Sequence, residues 1–471
     1  MKNKFLAFLS AAAVIIPFVQ PTETKAVNFT MRGTLYSDSA IVLNLDCDTI
    51  IHEKNADKKQ MPGPLVNIMT AVVCIENCPD LAKEITIEED VYSYLYNTEY
   101  PDDLRYGNIL DGDVLTYNDL LYAMMLTSSV EAAETIAYHI GGEDVSVFVE
   151  MMNKKAAELG MDSTKFTNAT GMYNAEQYTT ARDMMILTQY ALNKSHFEDI
   201  CATYIYTPSV PNFDRHPIEE KWRWFNSNIM MDEENENYYY RGTKGIKTGN
   251  LELGGRNIVA MAGRDGHNYL VIGMRAPIND EDGNTAFYHL DDAKQMFSWA
   301  FGHFAYQVVL AETAELGELP VDLADGSSYV LARPAEEISL LWHDEVDLAL
   351  ISRDNITWYN KKLQAPVKKG DALGRVTLEY SGEKLADVEL IAVSDVERST
   401  LKYNTYAAKK FLKSSWFSKA LILAGILSSL YILLCIYAYV LFKSRSKPLK
   451  PMYAVPKVDR EKKTKDTNTN K

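Results

Sequence analysis

The chain has 471 residues, enough for two or three domains with an ample core in the largest. Its net charge is −16, and the acidity is uneven: the tail from Lys443 holds ten Lys/Arg against three Asp/Glu, and once the +2 of residues 1–26 and the +1 of Lys419 are also set aside, residues 27–415 carry −26. So acidic a stretch is a poor partner for nucleic acid or anionic lipid. Five cysteines (Cys47, Cys74, Cys78, Cys201, Cys435) are too few for a disulfide scaffold, and Cys74 and Cys78 read as two buried thiols, with a bridge as the alternative. The eight histidines form no His-x-x-x-His pair and there is no Cys-x-x-Cys, so neither a metal nor another cofactor is expected.

Lys2 and Lys4 precede an apolar run from Phe5 to Val19, and a polar stretch then ends in Thr24-Lys25-Ala26. This predicts a secretory signal peptide over residues 1–26, with an uncleaved anchor as the other reading. Residues 27–304 carry mixed patterning. Ala40 to His52 alternates like two strands joined at Asp46-Cys47-Asp48. Helical spacing follows at Leu65–Glu76, Leu115–Met125, Ser128–His139 and Glu143–Gly160, the last stopped by a glycine. Thr180 with Asp183 predicts a capping box that opens a helix through Ala191. Met230 to Tyr240 reads as an exposed acidic and tyrosine-rich loop. Strands are expected at Gly245–Lys247, Arg256–Arg264 and Tyr269–Arg275, the last two joined at Asp265-Gly266-His267, and a closing helix at Leu290–Ala300.

Residues 305–397 change to short β-rich segments: Val330–Arg333, Ile338–Leu341, Val346–Ser352, Gly374–Tyr380 and Val388–Val393. A basic helical connector (398–415) leads to an apolar, uncharged run of 23 residues from Ala420 to Phe442. As a helix that run spans roughly 34 Å, enough for the hydrocarbon core of a bilayer. A transmembrane helix is expected over 416–442, and the basic tail 443–471 is expected on the cytoplasmic side.

Several segments, in order, resemble the serine-type D-alanyl-D-alanine carboxypeptidases, the low-molecular-mass penicillin-binding proteins. They are Asn55-Ala56-Asp57 before Ile68-Met69-Thr70-Ala71; Phe148 to Ala156 with Leu159-Gly160-Met161; Phe166 to Met172; Tyr178 to Asp183; and Gly245-Ile246-Lys247-Thr248-Gly249. Each is weak alone, and their order and spacing carry the resemblance. It implies an α/β domain of the penicilloyl serine transferase or β-lactamase-like type, an antiparallel sheet with a helical cluster. A small all-β domain and one C-terminal transmembrane helix complete the expected architecture.

In active relatives a Ser-x-x-Lys motif supplies the nucleophile and its base, Ser-x-Asn assists proton transfer, and Lys-Thr-Gly binds the substrate carboxylate. Here the Ser-x-x-Lys positions read Pro64 and Asn67, within Met61-Pro62-Gly63-Pro64-Leu65-Val66-Asn67. Proline has neither a hydroxyl nor a backbone N–H, and an amide accepts no proton near neutral pH. Proline suits the first turn of a helix, so the helix is expected to persist without the chemistry. The second motif reads Ser128-Ser129-Val130, with Val130 in place of Asn, and Ser128 with Glu131 also reads as a capping box. The third, Lys247-Thr248-Gly249, is intact, though Leu251 stands where the family usually has Thr. Three other Ser-x-x-Lys spacings, at Ser381/Lys384, Ser399/Lys402 and Ser444/Lys447, open no apolar helix of the main domain and are read as coincidence.

The expected protein is a bacterial membrane-anchored cell-wall member of the family that has lost catalysis and binds peptidoglycan stem peptides, or acts as a regulator or scaffold of wall-synthesis proteins. The alternatives are an active carboxypeptidase with a non-standard nucleophile and an interaction protein built around the β-rich domain.

Overall fold

The structure is a computed structural model that describes residues 29, 31–194, 196–209, 216 and 222–445. The expected signal peptide and the basic tail beyond Arg445 lie outside the described residues. The chain falls into two compact units: residues through Leu316 with 333–359 and 372–391, and residues 317–332, 360–371 and 392 onward.

The first unit opens with strands β1 (Ser39–Asn44) and β2 (Thr49–Lys54), then helix α1 (Val66–Asn77). A short pair, β3 (Glu84–Thr86) and β4 (Val114–Thr116), precedes helices α2 (Tyr117–Thr127), α3 (Val130–Ile140), α4 (Val145–Glu158) and α5 (Ala181–Leu192). Helix α6 (Phe197–Ala202) and the pair β5 (Ile205–Tyr206) and β6 (Trp224–Phe225) lead to the long strands β7 (Thr243–Leu251), β8 (Gly255–Arg264) and β9 (His267–Ala276), then helix α7 (Tyr288–His303). The main sheet is antiparallel, in the order β2-β1-β9-β8-β7.

Helix α7 packs on β8 and β9, and α5 packs on β1 and β9. The middle of β8 and of β9 is therefore buried without interruption, from Asn257 to Ala262 and from Tyr269 to Met274, and after Asn257 reads as apolar. Helix α1 is buried from Val66 to Cys74 and packs against α2, α3, α4 and α5. A helix apolar all round belongs inside, and this one forms the centre of the core.

Local signals act as the sequence predicts, with corrections. Asp265 (φ 53°) and Gly266 (φ 82°) make a two-residue turn in the left-handed region, the hairpin connection that Asp-Gly favours. His267 already pairs with Arg264, so it begins β9 rather than belonging to the turn. The Thr180 cap is half a box. Its hydroxyl accepts from Asp183 N at 3.0 Å, while the Asp183 carboxylate turns to Thr164 Oγ1 and Ser163 N instead of reaching back.

One buried carboxyl has a measurable consequence. Glu134 on α3 is fully buried, accepts from the Tyr94 hydroxyl, and is pushed by burial up to about 7. Its folded value lies above the unfolded one, so stability is lost as pH rises from about 4.5 to about 7. Glu134→Gln is expected to flatten that loss, worth up to about 3 kcal/mol, in urea midpoints compared between pH 5 and pH 8. Parallel pH curves for the two proteins would refute the assignment.

From Phe304 to Ala392 the secondary structure is β throughout, apart from one 3-10 turn. The strands are β10 (Phe304–Leu310), β11 (Gly317–Asp322), β12 (Tyr329–Pro334), β13 (Ile338–His343), β14 (Ser352–Trp358), β15 (Leu363–Gln364), β16 (Ala372–Tyr380) and β17 (Glu383–Ala392). In the first unit β10 pairs with β13, and β14, β16 and β17 form an antiparallel set. The strand expected over Val346–Ser352 is absent. Asp347 caps a 3-10 turn at Leu348–Leu350 by accepting from Ala349 N at 2.9 Å, and the strand begins only at Ser352.

In the second unit β11 pairs with β12 antiparallel and with β15 parallel. Helices α8 (Thr400–Leu412) and α9 (Ser415–Arg445) follow. Helix α9 has 31 residues and a mean hydropathy of 2.3 over its most apolar window, with all its side chains outside any core. Among the described residues it is the one helix long and apolar enough to cross a membrane.

Candidate active-site cleft

A cleft of about 150 Å³ opens in the first unit at the end of β7. Its walls include Pro64, Ser128, Thr248 and Gly249, so four of the seven positions singled out in the sequence meet there. Pro64 sits second in a 3-10 turn, Gly63–Leu65, that leads into α1. Its ring lies against β7: a Cβ on Gly249 would stand 3.0 Å from Pro64 Cδ. On the other side a Cβ on Gly171 would stand 2.2 Å from Gly63 O, so only glycine permits that approach. Asn257 of β8 clamps the turn, donating to Met61 O (3.1 Å) and Pro62 O (3.0 Å) while accepting from Arg275 N (2.7 Å). Leu251, 2% exposed, lies under Gly63.

Asn67, on the first turn of α1, is fully buried. Its amide donates to Ala169 O at 3.3 Å, and its Oδ1 has no partner among the described residues. Thr70, one turn on, donates to the same Ala169 carbonyl at 2.7 Å.

The two serines divide their work differently from the predicted capping box. Ser129 is the N-cap of α3: its Oγ accepts from Ala132 N (3.1 Å) and donates to Glu131 Oε2 (2.6 Å). Ser128 instead ends α2 in the left-handed region (φ 64°, ψ 31°), and its Oγ accepts from Lys247 Nζ at 2.5 Å. The left-handed residue reverses the chain between two helices, which moves the capping role one residue on. Val130, 3% exposed, packs with Leu104 and Met172, with Leu95 against them. That side chain serves an apolar cluster.

Lys247 is not a solvent-facing strand end. It is 0% exposed, and burial pushes its amine down to about 7, opposed by the nearby Cys201 thiol. Thr248 Oγ1 lies 2.7 Å from Ser227 Oγ, another lining residue.

Among the lining residues that escaped the sequence reading, Arg105, Arg256 and His289 bring titratable groups. The Arg256 guanidinium stands 4.6 Å from the Phe287 ring centre. His289 is 4% exposed and is held by burial down to about 3, with its Nδ1 unpaired among the described residues. The lining thus offers two guanidiniums and a neutral imidazole, with no carboxylate among the described lining residues. Arg256 left a faint trace, a charge at the mouth of an apolar strand; Arg105 left none.

The other Ser-x-x-Lys spacings are elsewhere. Ser381 (φ 50°) sits in the turn between β16 and β17, Ser399 precedes α8 without a side-chain cap bond while Lys402 donates to Ala324 O, and Ser444 is next to last in α9, with Lys447 outside the described residues. The sequence predicted no metal site. Folding nevertheless brings ligand atoms of His303, His343 and Asp344 within 4.8 Å of one another. They are already engaged: His303 Nδ1 meets Asp344 Oδ1 at 3.0 Å, and His343 Nδ1 accepts from Glu345 N at 3.1 Å.

A sequence model of the D-alanyl-D-alanine carboxypeptidase family matches residues 24–277, and one for the penicillin-binding protein 5 C-terminal domain matches residues 352–398. The chain is 26% identical to the D-alanyl-D-alanine carboxypeptidase DacA of Haemophilus influenzae over 83% of its own length and 93% of the relative's. It is 23% identical to DacF of Bacillus subtilis, over 77% and 86%. The structure of penicillin binding protein 5 from Haemophilus influenzae superposes with a TM-score of 0.54 at 21% identity, covering 79% of this chain and all of that one. The fold is that of the penicillin-binding proteins, with a C-terminal all-β domain. The chain belongs to the D-alanyl-D-alanine carboxypeptidase family.

Proposed function

We propose that this protein is a non-cleaving member of its family: a receptor for peptidoglycan stem peptides, held at the outer face of a bacterial membrane by α9 with its basic tail inside. The observation that carries the reading is Pro64 in the wall of an otherwise assembled cleft, with Asn67 buried on the first turn of α1. Ser128, Lys247, Thr248 and Gly249 still converge, yet the Ser-x-x-Lys positions offer no attacking oxygen and no proton acceptor. Arg105 and Arg256, with no carboxylate among the described lining residues, supply the charge that a terminal carboxylate needs. Bound stem peptide then tethers the protein to the wall or presents it to wall-synthesis proteins.

Calorimetry with a D-Ala-D-Ala-terminated peptide tests this. The full chain in detergent is expected to bind the peptide without releasing D-Ala, and Arg256→Ala is expected to weaken binding roughly ten-fold. Stoichiometric or catalytic D-Ala release by the unaltered protein would overturn the reading.

One observation favours a second reading. Ser128 Oγ lies 2.5 Å from an amine whose burial leaves it partly neutral near pH 7, and the serine lines the cleft. In that reading Ser128 attacks the carbonyl, Lys247 takes its proton and returns it to the leaving amine, and water releases the acyl group. D-Ala release abolished by Ser128→Ala is its signature.

A further inference from the structure

The cleft is small, about 150 Å³ against roughly 300–1,000 Å³ for a typical ligand pocket, so it takes the end of a ligand rather than its body. That end meets more positive charge than one carboxylate uses. Arg105 and Arg256 both line the cleft, the first exposed and the second half-buried. Burial lowers the pKa of Arg256 and the charge of Arg105 lowers it further, so the two guanidiniums feel one another across the lining. Neither is in an ion pair among the described residues. Arg105 Nη1 donates to two backbone carbonyls, Asp102 O (2.6 Å) and Leu104 O (2.8 Å), and Arg256 packs on the Phe287 ring. Asp103 lies near enough to act on Arg105, yet it is not in the lining, and its Oδ1 accepts from Glu252 N at 2.8 Å.

Three lining residues also carry buried polar atoms with no partner among the described residues: Arg256 Nε, Asn250 Oδ1 and His289 Nδ1. A buried polar atom without a partner is destabilising until a ligand supplies one. Two of these atoms have a fixed sense. Arg256 Nε is a donor and calls for an oxyanion, whereas Asn250 Oδ1 is an acceptor and calls for an N–H. The last peptide unit of a chain offers both, an N–H and a carboxylate a few bonds apart. The second guanidinium then calls for a second carboxylate on the same residue.

We propose that the cleft is specific for a peptide whose last residue is acidic, with its α-carboxylate on Arg256, its side-chain carboxylate on Arg105 and its N–H on Asn250 Oδ1. This rests on the stem-peptide reading of the cleft and adds which terminal residue the cleft takes.

The test is calorimetry on the full chain in detergent with three peptides of one length, ending in D-Ala-D-Ala, D-Ala-D-Glu and D-Ala-D-Gln. The glutamate-ended peptide is expected to bind roughly ten-fold tighter or more than the other two. The glutamine-ended peptide matches its size without its charge. Arg105→Ala is expected to abolish the preference, and Arg105→Lys, which keeps the charge, to retain part of it. The readout is a ratio of affinities on one protein, so a general loss of binding or of fold does not mimic it. Inorganic phosphate is expected to compete poorly with the glutamate-ended peptide; equal competition would make the arginines a simple anion site and overturn the peptide ligand. Equal affinity of the unaltered protein for the glutamate-ended and glutamine-ended peptides, or a preference that survives Arg105→Ala, overturns the proposal and leaves the stem-peptide reading standing. Binding of none of the three peptides removes that reading and the proposal together.

Discussion

Full-length protein incubated with a fluorescent penicillin and then denatured is expected to show no covalent band, whereas Pro64→Ser/Asn67→Lys/Val130→Asn is expected to show one. On the proposed reading, position 64 is the nucleophile position of the first motif, where a penicilloyl bond needs a hydroxyl, and proline has none. The same residue lacks the backbone N–H that would polarise the carbonyl, a loss worth about 3–4 kcal/mol at the transition state. Asn67 adds the missing base, typically 10²–10⁴-fold in rate. Pro64→Ser alone restores the hydroxyl and the N–H, so slow labelling is expected from it, roughly 10²–10⁴-fold below the triple variant.

The surroundings favour the reversal. The carbonyls of Ala169 and Thr170 that receive the Asn67 amide are placed to receive a lysine amine. The costly member is Val130→Asn, which sets an amide among Leu104 and Met172 and is expected to lower stability by about 1–3 kcal/mol. A labelled band from the unaltered protein sinks the non-cleaving reading. If Ser128→Ala then removes that band, the Ser128–Lys247 pair is the nucleophilic unit.

Lys247→Met is expected to raise stability near pH 7 and to abolish a rise in stability between pH 7 and 10. The amine is pushed by burial from 10.5 down to about 7, with Cys201 opposing. Between those values the unfolded chain carries the proton and the folded one does not, so the unaltered protein gains stability as pH rises through that window. The shift corresponds to roughly 5 kcal/mol as an upper bound. Methionine removes the penalty but leaves Ser128 without its donor, a cost of about 1–3 kcal/mol. A net gain of about 2 kcal/mol is expected at pH 7, shrinking or reversing by pH 10. Urea midpoints of both proteins across that range decide it: parallel curves mean that Lys247 is solvated and charged, contrary to the burial described.

Much of the local structure was legible because its causes are local. The Asp-Gly hairpin, the Thr180 cap, the apolar α1 and the uncharged run of α9 each depend on residues adjacent in sequence. The errors fell where two local signals competed. Ser128 and Ser129 both offer a cap to α3, and only the left-handed turn at Ser128 assigns the role to Ser129. Val346 to Ser352 has the composition of a strand, yet Asp347 captures Ala349 N and bends the chain first.

The sequence by itself determined the family, and it places a proline at 64 and an amide at 67, the positions to which the resemblance assigns a hydroxyl and an amine. These facts concern residue identity, order and spacing, which survive without coordinates. Only the tertiary structure decided that Lys247 is buried against Ser128, that Val130 serves an apolar cluster, and that Arg105 and Arg256 line one cleft. Those facts depend on which side of a strand or turn each side chain leaves from, and on groups more than a hundred residues apart meeting with water excluded. Dielectric surroundings and charge balance at the cleft are properties of that meeting, and no single stretch of chain encodes them.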